Sequence, residues 1–314
     1  MPRLATLNPS STRAEMPGSA ASLRRNTVLL MLSNIGGAAL SFALSALIGR
    51  ALGEAGLGIY AVSAAWIFPL ALIADFGIST LMTRDLSASP EDCERYLRAS
   101  ALARGGFGGL LMISLIVLAP WLSRDPAVVE GIRISAPLIL ILPFYSSFTA
   151  VFKARNAMRL IPWLNIGMLL SQVILTTLAF ALGGGVRAAI IINVATSLGQ
   201  LIAAYLAYQA RFAERSPAEP LSLLVRRLIQ RSWKFAVAGL LAAMQIRLST
   251  ILLEQLTNAG EVGYFSAGSR FMEAARLIPN AYFGALFPAL SAVAADPQAM
   301  QRVFGNAFRL LILF

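Results

Sequence analysis

The sequence contains no histidine and a single cysteine, Cys93. The first absence excludes histidine-ligated metal sites and histidine-dependent acid–base catalysis. The second leaves Cys93 without an intrachain partner, so no disulfide framework is available. Charge is scarce as well: 13% of the 314 residues are charged, where a soluble domain carries about a quarter. No nucleophile–base pair and no nucleotide-binding loop stand out. Asp75-Phe76-Gly77 spells a kinase magnesium motif, but no Gly-rich loop or catalytic loop accompanies it. The sequence does not read as an enzyme, and no cofactor is expected.

What the chain has instead is apolar length. Hydrophobic residues make up 57% of it, and the mean hydropathy is +0.70. A membrane-crossing helix needs about 20 apolar residues. Runs of that kind lie near 26–49, 59–76, 101–119, 134–152, 161–182, 188–209, 235–256 and 263–294. The eighth contains Pro279, which predicts a kink or break there. The last residues, Phe308 to Phe314, read as the start of a ninth span. The expected fold is an all-α, polytopic transmembrane helical bundle.

The formal charge of +11 is distributed by topology rather than gathered into a nucleic-acid patch. With the N-terminus inside, the inner tails, loops and span ends hold nineteen Lys and Arg, Arg104 among them, against four outside (Arg50, Arg124, Arg133 and Arg187). That bias predicts a multi-pass protein of the inner (plasma) membrane with a cytoplasmic N-terminus. Anionic lipid is the expected partner of the cations, and nucleic acid is not. Residues 1–23, rich in Ser, Pro and Ala, read as a disordered cytoplasmic tail. In 211–234, Leu221, Leu224, Val225, Leu228 and Ile229 recur at helical spacing while Arg226, Arg227, Arg231 and Lys234 take other faces. This predicts an amphipathic cytoplasmic linker lying on the membrane surface.

A short repeat supports two bundles flanking that linker. Leu52-Gly53-Glu54-Ala55-Gly56-Leu57-Gly58-Ile59-Tyr60 and Leu256-Thr257-Asn258-Ala259-Gly260-Glu261-Val262-Gly263-Tyr264 share Leu, Ala, Gly and Tyr at one offset of 204. Six crossings separate the copies, so the repeat is parallel. The expected architecture is two-lobed: a complete six-helix N-lobe over 24–210, and a partial C-lobe over 235–314 with two helices and the start of a third. If the halves match, roughly another hundred residues would complete the second.

These turns carry a resemblance. Arg50 to Tyr60, Ala74-Asp75-Phe76-Gly77-Ile78-Ser79 with Thr83-Arg84-Asp85, Val262 to Ala267, and Leu286-Phe287-Pro288-Ala289-Leu290-Ser291 resemble the oligosaccharide (O-antigen type) flippases of the multidrug/oligosaccharidyl-lipid/polysaccharide exporter superfamily. The resemblance covers about residues 24–294. It implies two six-span lobes around a central cavity, and movement of polyprenyl-diphosphate-linked sugars to the outer leaflet for cell-surface polysaccharide synthesis. Lipid-linked oligosaccharide is then the substrate, and other polysaccharide-assembly proteins are further partners.

Charges inside spans are costly and face protein or a wet cavity. Span seven carries Arg247, and span eight carries Arg270, Glu273 and Arg276. By helical rise, Arg247 lies roughly 20 Å from the inner start of its span and Arg270 roughly 12 Å from the outer start of its own. Guanidinium forks suit phosphate oxygens, so Arg247, Arg270 and Arg276 are candidate contacts for a lipid diphosphate. Glu273 is three residues from both span-eight arginines and could pair with either. A second, uncharged layer comprises Asn34 with Ser41 and Ser45, Asn165 with Gln172, and Asn193 with Gln200. Each set shares a helix face, and could line a route for sugar hydroxyls or tie helices together. Ser33, Gly37, Ser41 and Ser45, and the glycines Gly105 to Gly109, read as close-packing surfaces, and the tryptophans as interfacial anchors. Two other readings stay open: a drug or cation antiporter on the same fold, which needs buried acids, and a non-transporting envelope scaffold or inactive fragment.

Overall fold

The computed structural model of the protein describes residues 20–212 and 221–275, together with 301 and 305. Most of the N-terminal tail, the Pro279 region and the expected ninth span lie outside the described residues. Every described element is helical: α1 (Ala20–Asp75), α2 (Ile78–Ala88), a 3₁₀ turn (Pro90–Asp92), α3 (Cys93–Leu122), α4 (Pro126–Ser135), α5 (Leu138–Ala154), α6 (Leu160–Ala181), α7 (Val186–Phe212), α8 (Leu221–Leu256) and α9 (Ala259–Ala275).

The first helix is two crossings. Gly53 sits at φ 71°, ψ −172°, a conformation open essentially to glycine alone. It separates a first limb, 20–52, from a second, 54–75. Leu57 Cδ2 lies 3.6 Å from where a Cβ on Gly49 would stand. In an unbroken helix those positions are about 12 Å apart along the axis, so the limbs fold back on each other. Leu44, Ile48, Leu57 and Ala189 bury the inside of this hairpin, with Tyr60 packed against them.

The second limb ends at a left-handed pair, Phe76 (φ 51°) and Gly77 (φ 68°). The chain then turns into α2, which buries Ile78, Leu81, Met82 and Leu86. The start of α4 is written into the sequence. Asp125 caps it, its carboxylate accepting from the Ala127 N–H at 2.8 Å, and Pro126 follows where a helix needs no N–H.

The chain reverses at Gly53, 123–125, 182–185 and 257–258 at one end of the bundle, and at 76–92 and 155–159 at the other. Five stretches are long and apolar enough to cross a membrane: Ser33–Asp75, Cys93–Leu122, Pro126–Ala154, Leu160–Ala181 and Val186–Phe212. Their outer faces remain apolar and exposed, with Leu102, Leu110, Ile113 and Val117 on α3 and Leu170, Ile174 and Leu178 on α6. A soluble protein rarely exposes contiguous apolar surface of that extent. These ridges face lipid, and the protein is a multi-pass membrane protein.

Helix α8 is continuous for 36 residues. The part of the expected linker from Leu221 onward and the expected seventh span are therefore one rod. Leu224 and Leu228 are buried in the cluster that contains the α2 residues. A Cβ on Gly77 would meet Phe235 Cβ at 2.6 Å and the Ser232 carbonyl at 2.8 Å. The final helix, α9, packs most extensively on α1.

Candidate functional site

Between α1, α6, α8 and α9 lies a cluster of charged and polar side chains drawn from all four helices. Arg270 of α9 donates to Glu273 Oε2 at 2.8 Å and to Ser41 Oγ of the first limb at 3.2 Å. Arg247 of α8 stacks over the Phe68 ring of the second limb, 5.3 Å from its centroid, within electrostatic reach of Glu273 and Arg270. Its Nε is buried without a hydrogen-bond partner among the described residues. Tyr60, within electrostatic reach of Arg270, accepts from Gln172 Nε2 of α6 at 3.0 Å. Phe42 and Phe271 close one side, ring edge to ring face, at 5.3 Å. The cluster thus sets two guanidinium groups against one carboxylate, so it retains a net positive charge in a setting of aromatic rings. Such a setting strengthens any contact with an anion.

Of the residues singled out from the sequence, Arg247, Arg270, Glu273 and Gln172 meet here. Gln200 does not. It is buried on α7 and donates to Asn165 Oδ1 at 2.8 Å, which also accepts from the Tyr145 hydroxyl at 2.7 Å. That chain ties α5, α6 and α7 together. Asn34 is exposed near the start of the first limb. Arg276 lies outside the described residues.

Sequence reasoning missed a second polar centre. Arg104, read above as a span-end charge, is 1% exposed. Its guanidinium donates to Asp75 Oδ1 at 2.7 Å, to Ser79 Oγ at 2.8 Å, to the Pro143 carbonyl at 2.8 Å and to Ser147. Asp75 in turn accepts from Ser79 at 2.6 Å and from Ser146 at 2.9 Å. This is a buried ion pair with most of its polar atoms satisfied, binding α1, α2, α3 and α5. A signal existed: Arg104 begins the glycine run of α3, eleven residues inside the helix, too deep for a simple end charge. Trp66 packs against the core cluster of Val62, Ile67 and Ala74.

Fold and apolar surface together define an all-α, multi-pass membrane protein. Residues 23–294 match the polysaccharide biosynthesis protein family, and the chain belongs to that family. Its structure is similar to that of the MATE multidrug transporter DinF-BH, solved in a complex, with a TM-score of 0.68 at 14% identity over 95% of this chain and 72% of that one. It is similar to an inward-facing multidrug resistance MATE family transporter of the MOP superfamily, with a TM-score of 0.66 at 15% identity over 92% and 70%. The eukaryotic MATE transporter AtDTX14 gives 0.58 at 14% identity over 92% and 69%. At these identities the likeness is one of fold. No curated protein sequence matches the chain significantly.

Proposed function

We propose that the protein moves a polyprenyl-diphosphate-linked oligosaccharide across the inner membrane, by alternating access between an N-lobe of α1–α7 and a C-lobe that begins with α8 and α9. The observation that carries this reading is Arg247. It is a cation between the two groups of helices, its Nε has no acceptor among the described residues, and it shares one carboxylate with Arg270. A diphosphate needs such compensation inside a membrane, and forked guanidinium donors match its oxygens. The family membership supports the sugar, and the neighbouring hydroxyls of Ser41 and Tyr60 suit a polar headgroup. In this reading the polyprenyl tail stays in lipid while the head passes the cluster.

An antiporter for cationic drugs on the same fold would need acids free to bind protons or cations. Beside the cationic cluster Glu273 is engaged by Arg270, and Asp75 is engaged by Arg104; the buried Glu254, near the other end of α8, bonds to Ser123 and Gln255. The test is Arg247→Gln in the full-length protein. Export of the lipid-linked oligosaccharide should fall at least tenfold at unchanged protein level, and Arg247→Lys should recover part of it. Undiminished export by Arg247→Gln would overturn the assignment.

A further inference from the structure

At the end of the bundle where the chain reverses at 76–92 and 155–159, a recess of about 360 Å³ opens between α3, α5 and α7. It shares no residue with the cluster of Arg247 and Arg270. Its walls are aromatic: Phe144 and Phe148 from α5, and Tyr205 and Tyr208 from α7. Phe148 contacts both tyrosines, with ring centroids 6.2 Å and 5.9 Å away. Tyrosines near helix ends commonly form an interfacial belt, but Tyr208 is 4% exposed and so is a wall rather than an anchor. Ser100 and Ser147 form the floor, their hydroxyls 3.2 Å apart. Beneath it the charge of Arg104 is balanced by Asp75, so the floor carries no net charge.

The charges of the recess stand at its rim. Glu94 and Arg98 of α3 line it and pair with each other one turn apart. An exposed pair of this kind contributes little, so an occupant can part it at small cost. Glu94 is the second residue of α3 and Arg98 the sixth. The acid therefore stands nearer water and the cation nearer hydrocarbon, about 6 Å apart by helical rise. A phospholipid with an amine headgroup presents its charges in the same order, ammonium outermost and phosphate next to the glycerol. On the α7 side of the rim Gln209 donates to the Tyr205 hydroxyl at 3.0 Å, which holds that ring in place. On the same helices Leu102 and Leu206 are exposed, apolar surface along which acyl chains continue.

We propose that the recess binds an ethanolamine phospholipid, with the phosphate on the Arg98 guanidinium and the ammonium on the Glu94 carboxylate beside the Tyr205 ring. A guanidinium fork suits phosphate oxygens, and aromatic ring faces attract the ammonium as well. An anionic phospholipid would satisfy Arg98 and leave Glu94 without a cation. A choline headgroup would offer Glu94 no N–H donor. The assignment depends neither on the transport reading nor on which leaflet this end of the bundle meets.

The experiment uses the full-length protein in detergent, stripped of lipid. Phosphatidylethanolamine, phosphatidylglycerol or phosphatidylcholine is added at matched concentration. Native mass spectrometry reads binding, and a thermal melt reads stabilisation. Phosphatidylethanolamine should bind several-fold more tightly than either other lipid and raise the melting temperature. The decisive variant exchanges the pair, Glu94→Arg with Arg98→Glu. It keeps the net charge and the one-turn pairing but reverses the order of the charges. The preference for ethanolamine should vanish while the lipid-free melt stays nearly where it was. Should the exchanged pair not fold, Arg98→Gln should weaken binding of phosphatidylethanolamine several-fold. A preference that survives these changes would overturn the proposal. So would equal binding of the three lipids, the mark of an unselective lipid shell, or tighter binding of phosphatidylglycerol, the mark of an anionic-lipid site.

Discussion

At the scale of single residues, the chain uses arginine in two opposite ways. Arg104 is surrounded: a carboxylate, two hydroxyls and a carbonyl accept from it. Removing one partner of a buried pair leaves the other charge uncompensated, at a cost of about 3–5 kcal/mol. Arg104→Met should therefore lower the detergent melting temperature sharply. Asp75→Asn combined with Arg104→Met should recover much of the loss, because no orphaned charge remains. A single variant as stable as the parent would show that the pair is not holding α1, α2, α3 and α5 together. Arg247, by contrast, leans on a ring and shares a distant acid. Its removal should leave stability nearly unchanged while export fails. The difference was only half legible in the sequence. Arg247 stands alone in an apolar run, which marks it. Arg104 sits near a cationic span end, and its partner is 29 residues away, a separation that no helical spacing rule connects.

Helices and turns were more legible, because the rules that form them are local. Apolar run length located the five stretches able to cross a membrane, all within residues 33–212. The glycine of Leu52-Gly53-Glu54 marked the first reversal, and a φ of 71° there is the physical reason for it. Gly53→Ala should cost about 1–3 kcal/mol, the usual strain of a non-glycine residue in that region. A thermal melt in detergent reads this directly, and an unchanged midpoint would mean that the turn relaxes to another conformation. The continuity of α8 was not legible. Its pattern switches from amphipathic to apolar near residue 234, which reads as a boundary, yet the helix runs on from Leu221 to Leu256. Backbone hydrogen bonding continues through it, since nothing between 221 and 256 breaks a helix. The hydrogen-bonded triad of Tyr145, Asn165 and Gln200 was hidden for a related reason. Spacing placed Asn165 and Gln200 on their helix faces but could not say that those faces meet.

Taken as a whole molecule, the chain combines a group of helices, α1–α7, with a rod, α8, whose two ends pack into two different core clusters, through Leu224 and Leu228 at one end and Leu253 at the other. The polar residues follow that division. Those with several partners, at Arg104 and at Asn165, lie within the group α1–α7. Unbalanced cations lie where α8 and α9 meet it. The proposed transport of an anionic head draws on this division, which puts the cations where the two groups of helices meet. The repeat visible at Leu52–Tyr60 and Leu256–Tyr264 gains its meaning in the fold, because its two copies form one contact. The most direct measurement is to delete the complete gene and locate the lipid-linked oligosaccharide. The account predicts accumulation on the inner leaflet and loss of surface polysaccharide, both reversed by the intact gene and not by Arg247→Gln. Normal surface polysaccharide in the deletion strain, with new sensitivity to cationic drugs, would contradict it.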